Sequence, residues 1–156
     1  MKIISGAQTG ADLAGLDAAK AVGFATGGTM PKGYKDLDGN KPHYADLYNI
    51  GTTATNAYPP RTKKNIADAD ATMILATNLN SAGTKLTIKL CKALHKPMLI
   101  IDLNDESDMA QIVGWLKQYR TVNIAGNSEK SSPGIYNTCY ELLLSAFTAV
   151  IREAGH

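Results

Sequence analysis

Short apolar runs alternate along this chain with longer stretches in which apolar residues recur every three or four positions. Five runs read as strands: Ile3-Ile4-Ser5, Phe24-Ala25-Thr26, Thr72-Met73-Ile74-Leu75-Ala76, Met98-Leu99-Ile100-Ile101-Asp102 and Thr121-Val122-Asn123-Ile124-Ala125. Those at 72–76 and 98–102 are continuous apolar runs, which fits parallel strands covered on both faces. The helical spacing predicts helices over 11–22, about 60–69, 84–95, 106–119 and 134–154. Pro59-Pro60 suit the first turn of the second helix. Asp105 or Ser107 is placed to cap the fourth, and Lys96-Pro97 breaks the chain after the third. Repeated strand–helix order predicts an α/β fold with a mainly parallel sheet and helices on both faces.

The stretch 27–60 departs from this rhythm. Gly27-Gly28-Thr29-Met30-Pro31-Lys32-Gly33-Tyr34-Lys35-Asp36 is rich in turn formers, and few strand or helix signals appear before Leu47-Tyr48-Asn49-Ile50. It reads as a long loop, and a loop of that length in a compact domain is more often functional than idle, or it is disordered. Lys32 and Lys35 are its obvious cations.

Composition narrows the classes. A chain of 156 residues with 44% hydrophobic positions predicts one domain, 1–156, with a substantial core. Sixteen Lys and Arg against fourteen Asp and Glu leave a net charge of only +2, with no basic run, which argues against nucleic acid as a partner. No apolar run approaches membrane-spanning length and the N-terminus lacks a signal-peptide pattern. Cys91 and Cys139 lie far apart without CxxC spacing and read as buried thiols of a cytoplasmic protein. Cys and His show no metal-ligand spacing, so no metal site in the protein itself is expected.

In an open parallel sheet, ligands sit beyond the carboxyl ends of the strands. The first strand there runs into Gly6-Ala7-Gln8-Thr9-Gly10-Ala11-Asp12 and then a helix. Glycines let backbone approach a ligand closely, and the first helical amides lack internal partners and carry partial positive charge, so the turn suits an anion. Its spacing is neither GxGxxG nor a Walker loop. Asn78-Leu79-Asn80-Ser81-Ala82-Gly83-Thr84 repeats the logic before the third helix, and Gly27–Gly33, Leu103–Asp105 and Gly126–Gly134 also follow strands. The candidate ligand-binding residues are therefore Gly6, Ala7, Gln8, Thr9, Gly10, Asp12, Lys32, Gly33, Arg61, Asn78, Ser81, Ala82, Gly83, Thr84, Gly126, Ser128 and Glu129. A Gly-rich turn is also often only a tight turn. Asp12 has two readings, stabilising the helix dipole or bonding a ligand. Arg61 and Asn65 share a helix face, either solvated or turned to the strand ends, where Arg61 would clamp a phosphate. Asp17, His43 and His95 read as structural or surface residues. No catalytic residue is assigned.

Several of these segments, taken in order, resemble the putative molybdenum carrier family. They are Gly6-Ala7-Gln8-Thr9-Gly10-Ala11-Asp12 with Leu16-Asp17-Ala18-Ala19, Gly27-Gly28, Pro31-Lys32-Gly33, Arg61-Thr62 with Asn65, Asp68-Ala69-Asp70 with Ile74-Leu75, Gly83-Thr84, and Asn123-Ile124-Ala125-Gly126 with Ser128-Glu129, Ser131 and Pro133-Gly134-Ile135-Tyr136. That family is similar in turn to the lysine-decarboxylase-like phosphoribohydrolases and the DNA-processing protein A fold, which bind nucleotides or nucleotide-derived ligands. The resemblance implies a three-layer Rossmann-like fold, a homo-oligomer (dimer or tetramer), and binding of molybdenum cofactor, a pterin phosphate carrying a metal oxo group. The chain departs from the family's usual pattern: Ala7 replaces a Gly, Leu13 an Arg, and Ala82 a Gly. Where the phosphoribohydrolases carry Gly-Thr-x-x-Glu, this chain has Gly83-Thr84-Lys85-Leu86-Thr87, and a Thr cannot act as a carboxylate acid or base near neutral pH. The expectation is a non-catalytic carrier of a phosphorylated heterocycle, molybdenum cofactor first. The alternatives are a nucleotide-binding sensor or sponge and a nucleoside-monophosphate phosphoribohydrolase.

Overall fold

The computed structural model describes residues 1–155. Six parallel strands form one sheet: β1 (Lys2–Ser5), β2 (Ala25–Met30), β5 (Ile50–Thr52), β6 (Ala71–Ala76), β7 (Met98–Asp102) and β8 (Thr121–Gly126), in the order β5-β2-β1-β8-β6-β7. β3 (Lys35–Asp36) and β4 (Gly39–Asn40) make a separate antiparallel hairpin. The helices are α1 (Ala11–Val22), α2 (Tyr44–Leu47), α3 (Tyr58–Asp68), α4 (Ala82–Ala93), α5 (Met109–Leu116) and α6 (Ile135–Ala154). α1, α5 and α6 cover one face and α3 and α4 the other, so the fold is the three-layer Rossmann-like α/β expected.

The periodicity explains the layers. β6 lies inside the sheet and all six of its residues are buried. In β8 the alternate residues Val122 and Ile124 enter the main core with Ile3, Met73, Leu143 and Phe147, while Asn123 points to the α3–α4 side. β7 has the same apolar character as β6 but stands at the sheet edge, which leaves Ile100 39% exposed. Continuous hydrophobicity therefore does not mark burial on both faces here. The last strand in the chain, β8, inserts between β1 and β6, so the direction of winding changes beside β1 and β8.

The stretch 27–60 is not a plain loop. β2 continues through Gly27-Gly28 to Met30, and β5 pairs with it to form the far edge. Intrinsic propensity misses this because the ladders on either side, not the residues themselves, hold β2 extended. Leu16, Met30, Tyr44, Tyr48 and Ile50 form a second small core beneath this region. The carboxylate of Asp17 accepts hydrogen bonds from the hydroxyls of Tyr48 and Tyr136, tying the stretch to α1 and α6. Its structural role is thus explained by partners 31 and 119 residues away. The fourth predicted helix starts later than expected: Asp108, not Asp105 or Ser107, caps α5, accepting from the Gln111 amide at 3.2 Å. The amide of Asp105 instead closes a turn onto the Asp102 carbonyl.

Candidate functional site

A cleft of about 340 Å³ opens between α3 and α4 beside the carboxyl ends of β1 and β8. Gly6, Gln8 and Asp12 line it from the β1–α1 segment, and Tyr58, Pro59, Arg61, Thr62 and Asn65 from α3. Ala82, Gly83, Leu86 and Thr87 come from α4, Asn123–Gly126 from β8, and Leu37 from the hairpin.

Arg61 is the centre of the arrangement. The spacing of four from Asn65 places both on the inner face of α3. Asn65 is buried and locked to β2, accepting from the Thr29 amide and donating to the Thr29 carbonyl, both at 2.9 Å. One turn earlier, Arg61 runs over the end of β1. Gly6 makes room for it, because a β-carbon there would collide with the guanidinium. Arg61 Nη1 donates to Asp12 Oδ2 at 3.3 Å, and the guanidinium lies 5.3 Å from the centre of the Tyr58 ring. Its side chain is only 11% exposed, yet Nε, a buried donor, has no hydrogen-bond partner. A donor left in that state carries a desolvation cost that a ligand can remove.

Asp12 Oδ2 also accepts from the Gln8 amide at 3.3 Å. Burial pushes the Asp12 carboxyl up to about 6, against the opposing pull of Arg61 and of that amide. Both readings of Asp12 remain physically sensible, since it stands in the first turn of α1 and also on the cleft wall.

The β1–α1 turn is largely filled by its own chain. The Ala7 amide donates to Ser5 Oγ at 3.0 Å, and the Thr9 amide donates to Gln8 Oε1 at 3.0 Å. That same oxygen accepts from the Leu37 amide at 2.9 Å and so tethers the hairpin. Ala7, at φ 53°, occupies the left-handed region that favours glycine. Gly10 has φ 88°, and a β-carbon on it would strike the carbonyl of Asn127 and come within 2.8 Å of the Glu129 amide. Gly10 packs against backbone, not toward open space.

The β6–α4 turn is organised by Asn127, which the sequence reading passed over. Its Oδ1 accepts from the amides of Thr77 (2.9 Å) and Asn78 (3.0 Å). Its Nδ2 donates to the Asn78 carbonyl, Ser81 Oγ and Thr84 Oγ1 at 3.0–3.2 Å. Ser81 caps α4. Asn78, Ser81 and Thr84 thus belong to a polar knot beside the cleft, with Thr84 and Asn127 buried, Ser81 half-buried and Asn78 exposed. Ala82 and Gly83 are exposed and line it, and nothing lies within 4 Å of a β-carbon built on Gly83.

The remaining candidates scatter. Gly126 forms part of the floor. The Glu129 carboxylate caps α6, accepting from the amides of Gly134 (2.9 Å) and Tyr136 (2.6 Å). Ser128 Oγ bonds within its own turn to Ser131. Lys32 and Gly33 are exposed in the turn after β2, where the Lys32 amide is anchored to the Thr55 carbonyl, and the structure does not bring them to the cleft. Asn123, Tyr58, Leu86 and Thr87 line it and were not among the candidates. For Tyr58 and Leu86 the only sequence signal is position relative to Arg61 and Gly83. Thr87 donates its hydroxyl to the Gly83 carbonyl at 3.0 Å.

Among the described residues, no group of three His, Cys, Asp or Glu side chains could hold a metal ion, and no helix is long and apolar enough to cross a membrane. Cys91 and Cys139 are free and buried, and burial pushes the Cys139 thiol up to about 12.

The model of one protein family, described as the circularly permutated YpsA SLOG family, matches residues 3–147. A crystal structure of a protein named putative molybdenum carrier protein, from Syntrophus aciditrophicus SB, is similar. The two chains are 34% identical over 94% of this chain and 93% of that one, with a TM-score of 0.83. No curated protein matches. The family match covers nearly every element from β1 to α6, including those that build the cleft, and on that footing this chain belongs to the circularly permutated YpsA SLOG family.

Proposed function

We propose that this chain is a non-catalytic binding or carrier protein for a phosphorylated heterocycle, with molybdenum cofactor as the first candidate. The observation that carries this reading is Arg61, a cation held in the cleft wall with its Nε donor unpartnered. A planar guanidinium with free donors matches a phosphate by paired, charge-assisted hydrogen bonds. Across the cleft, the first-turn position of Ala82 and Gly83 adds amides that a helix leaves without internal partners. Tyr58, Pro59 and Leu86 offer apolar surface for a flat ring. These residues fit the phosphate and the ring of a pterin cofactor. The protein supplies no ligand set for the metal, which would be carried through the pterin. The name of the similar Syntrophus protein supports the same ligand. Two unpaired buried thiols suit a reducing, cytoplasmic setting.

A second reading has one observation behind it. Asp12 is a cleft carboxyl held near the pH at which general acids and bases work, which favours nucleoside-monophosphate hydrolysis. Against it, Asp12 is already engaged by Arg61 and the Gln8 amide, and Thr87 stands at the position where the phosphoribohydrolases place a Glu.

Native mass spectrometry of protein purified from cells separates these ligands by mass. A retained pterin cofactor supports the carrier. A retained nucleotide moves the reading to a sensor. Release of free base from nucleoside monophosphates that disappears in Asp12→Asn would replace both with the hydrolase. Arg61→Ala is expected to weaken binding of AMP or of the retained ligand at least tenfold, from the roughly 1.5–3 kcal/mol of one charge-assisted bond. Unchanged affinity would remove Arg61 from the site.

A further inference from the structure

The Arg61 guanidinium that the proposed function assigns to a phosphate is already partnered in the cleft. Its Nη1 lies 3.3 Å from Asp12 Oδ2, and that carboxylate is 10% exposed. A phosphate that contacts Arg61 therefore arrives beside a largely buried negative charge, where water screens the two anions poorly. Two anions sharing one buried cation are relieved when one of them takes a proton. Resting on the reading above, we propose that the cleft binds its anionic ligand together with one proton, taken from solvent onto the Asp12 carboxyl, so that Arg61 passes from Asp12 to the ligand.

The surroundings leave Asp12 as the group that takes the proton. From α3 only Arg61 faces it, and Arg61 stays charged. From α6 the Cys139 thiol faces it, and the negative charge of Asp12 adds to the burial that keeps that thiol neutral. The β8 residues along the cleft, Asn123, Ile124, Ala125 and Gly126, do not titrate. In the hairpin, Asp36 is paired with Lys41 at 3.1 Å, and Glu129 is spent on the amides at the start of α6. The neutral carboxyl keeps useful partners: its carbonyl oxygen still accepts from the Gln8 amide and its new O–H donates. Burial has already moved Asp12 up to about 6 in the free protein, and the ligand's dianion has to carry it the rest of the way, above the pH of binding.

The sign follows from linkage. If the ligand raises the Asp12 value, affinity falls about tenfold per pH unit between the free and the ligand-bound Asp12 values and is level on either side of that window. AMP is a suitable probe because its phosphate is fully dianionic above pH 7, its second pKa being about 6. Calorimetric titration of the wild-type protein with AMP at pH 7.5, in two buffers of different ionisation enthalpy, is expected to show about one proton taken up per AMP. Affinity should drop about tenfold from pH 7.5 to 8.5. Asp12→Asn, which mimics the protonated carboxyl, should bind AMP with no proton uptake and a flat pH profile. Should that variant not fold, the infrared band of a neutral carboxyl appearing in the wild type on AMP addition makes the same distinction. Binding without proton uptake by the wild type, or uptake that persists in Asp12→Asn, overturns this inference and leaves the functional reading standing. No binding of either AMP or inorganic phosphate overturns this inference, and the functional reading falls with it when the purified protein also retains no pterin or nucleotide.

Discussion

The β1–α1 turn and the β6–α4 turn are written in nearly the same residues: glycine, alanine, a hydroxyl or two, then a helix. They do opposite things. In the first, the side chains of Ser5, Asp12 and Gln8, in or flanking the turn, occupy the amides of Ala7, Gln8 and Thr9. Gly6 yields its space to Arg61, and Gly10 yields its space to the backbone of 127–129. In the second, the polar side chains are gathered away from the cleft by Asn127, and Gly83 faces empty space. A glycine-rich turn before a helix is therefore ambiguous. It can be a socket for the protein's own groups or an opening for a ligand, and the difference lies in what packs above it.

The sharpest way to break this comparison is at Gly10. A side chain there meets left-handed strain of about 1–2 kcal/mol and a clash with backbone that cannot rotate away, of about 1–3 kcal/mol. Gly10→Ala should lose about 2–5 kcal/mol, lowering Tm by roughly 5–15 °C in a chain of this size. An unchanged melting curve would mean the turn is not held by the β8–α6 connection. Gly10→Val, bulkier still, should be worse in folding before it is worse in binding.

Asn127 tests the other turn. Its five side-chain hydrogen bonds tie the segment after β8 to the β6–α4 turn, and Asn127→Ala leaves several partly buried partners unpaired, so a loss of about 2–4 kcal/mol is expected in denaturant titration. Asn127→Asp keeps the acceptor for the Thr77 and Asn78 amides but removes both donors, and should fall between the two. If Ala and Asp variants were equal, the amide contacts would contribute nothing.

Gly83 gives the smallest effect and the cleanest contrast with Gly10. With open space around it and a place in the first turn of α4, Gly83→Ala should raise stability by about 0.4–1 kcal/mol through the unfolded chain's entropy. The same methyl group at the cleft should weaken AMP binding. A variant both destabilised and unaffected in binding would reverse the assignment of the two turns.

Local periodicity by itself determined the alternation of strands and helices outside 27–60 and the ends of α1 and β7, because alternation by two or by 3.6 residues is a short-range property. The i,i+4 pairing of Arg61 with Asn65 was legible for the same reason, and so was the burial of both thiols. Other features depended on partners far along the chain. Arg61 meets Asp12 across 49 residues, and Asn127 meets the β6–α4 turn across 43 to 50. Neither Gly10 nor Gly83 carries in its own neighbourhood any mark of what will lie above it. β2 is a strand because β1 and β5 flank it, despite two glycines. β7 is exposed because no strand follows it in the sheet, despite an apolar run like that of β6. Lys32 is a cation in a glycine-rich turn, yet that turn is anchored to Thr55 away from the cleft. In each case the residue's chemistry was readable from the sequence. Its surroundings were not, because burial, pairing and open space are properties of which segments the folded chain brings together.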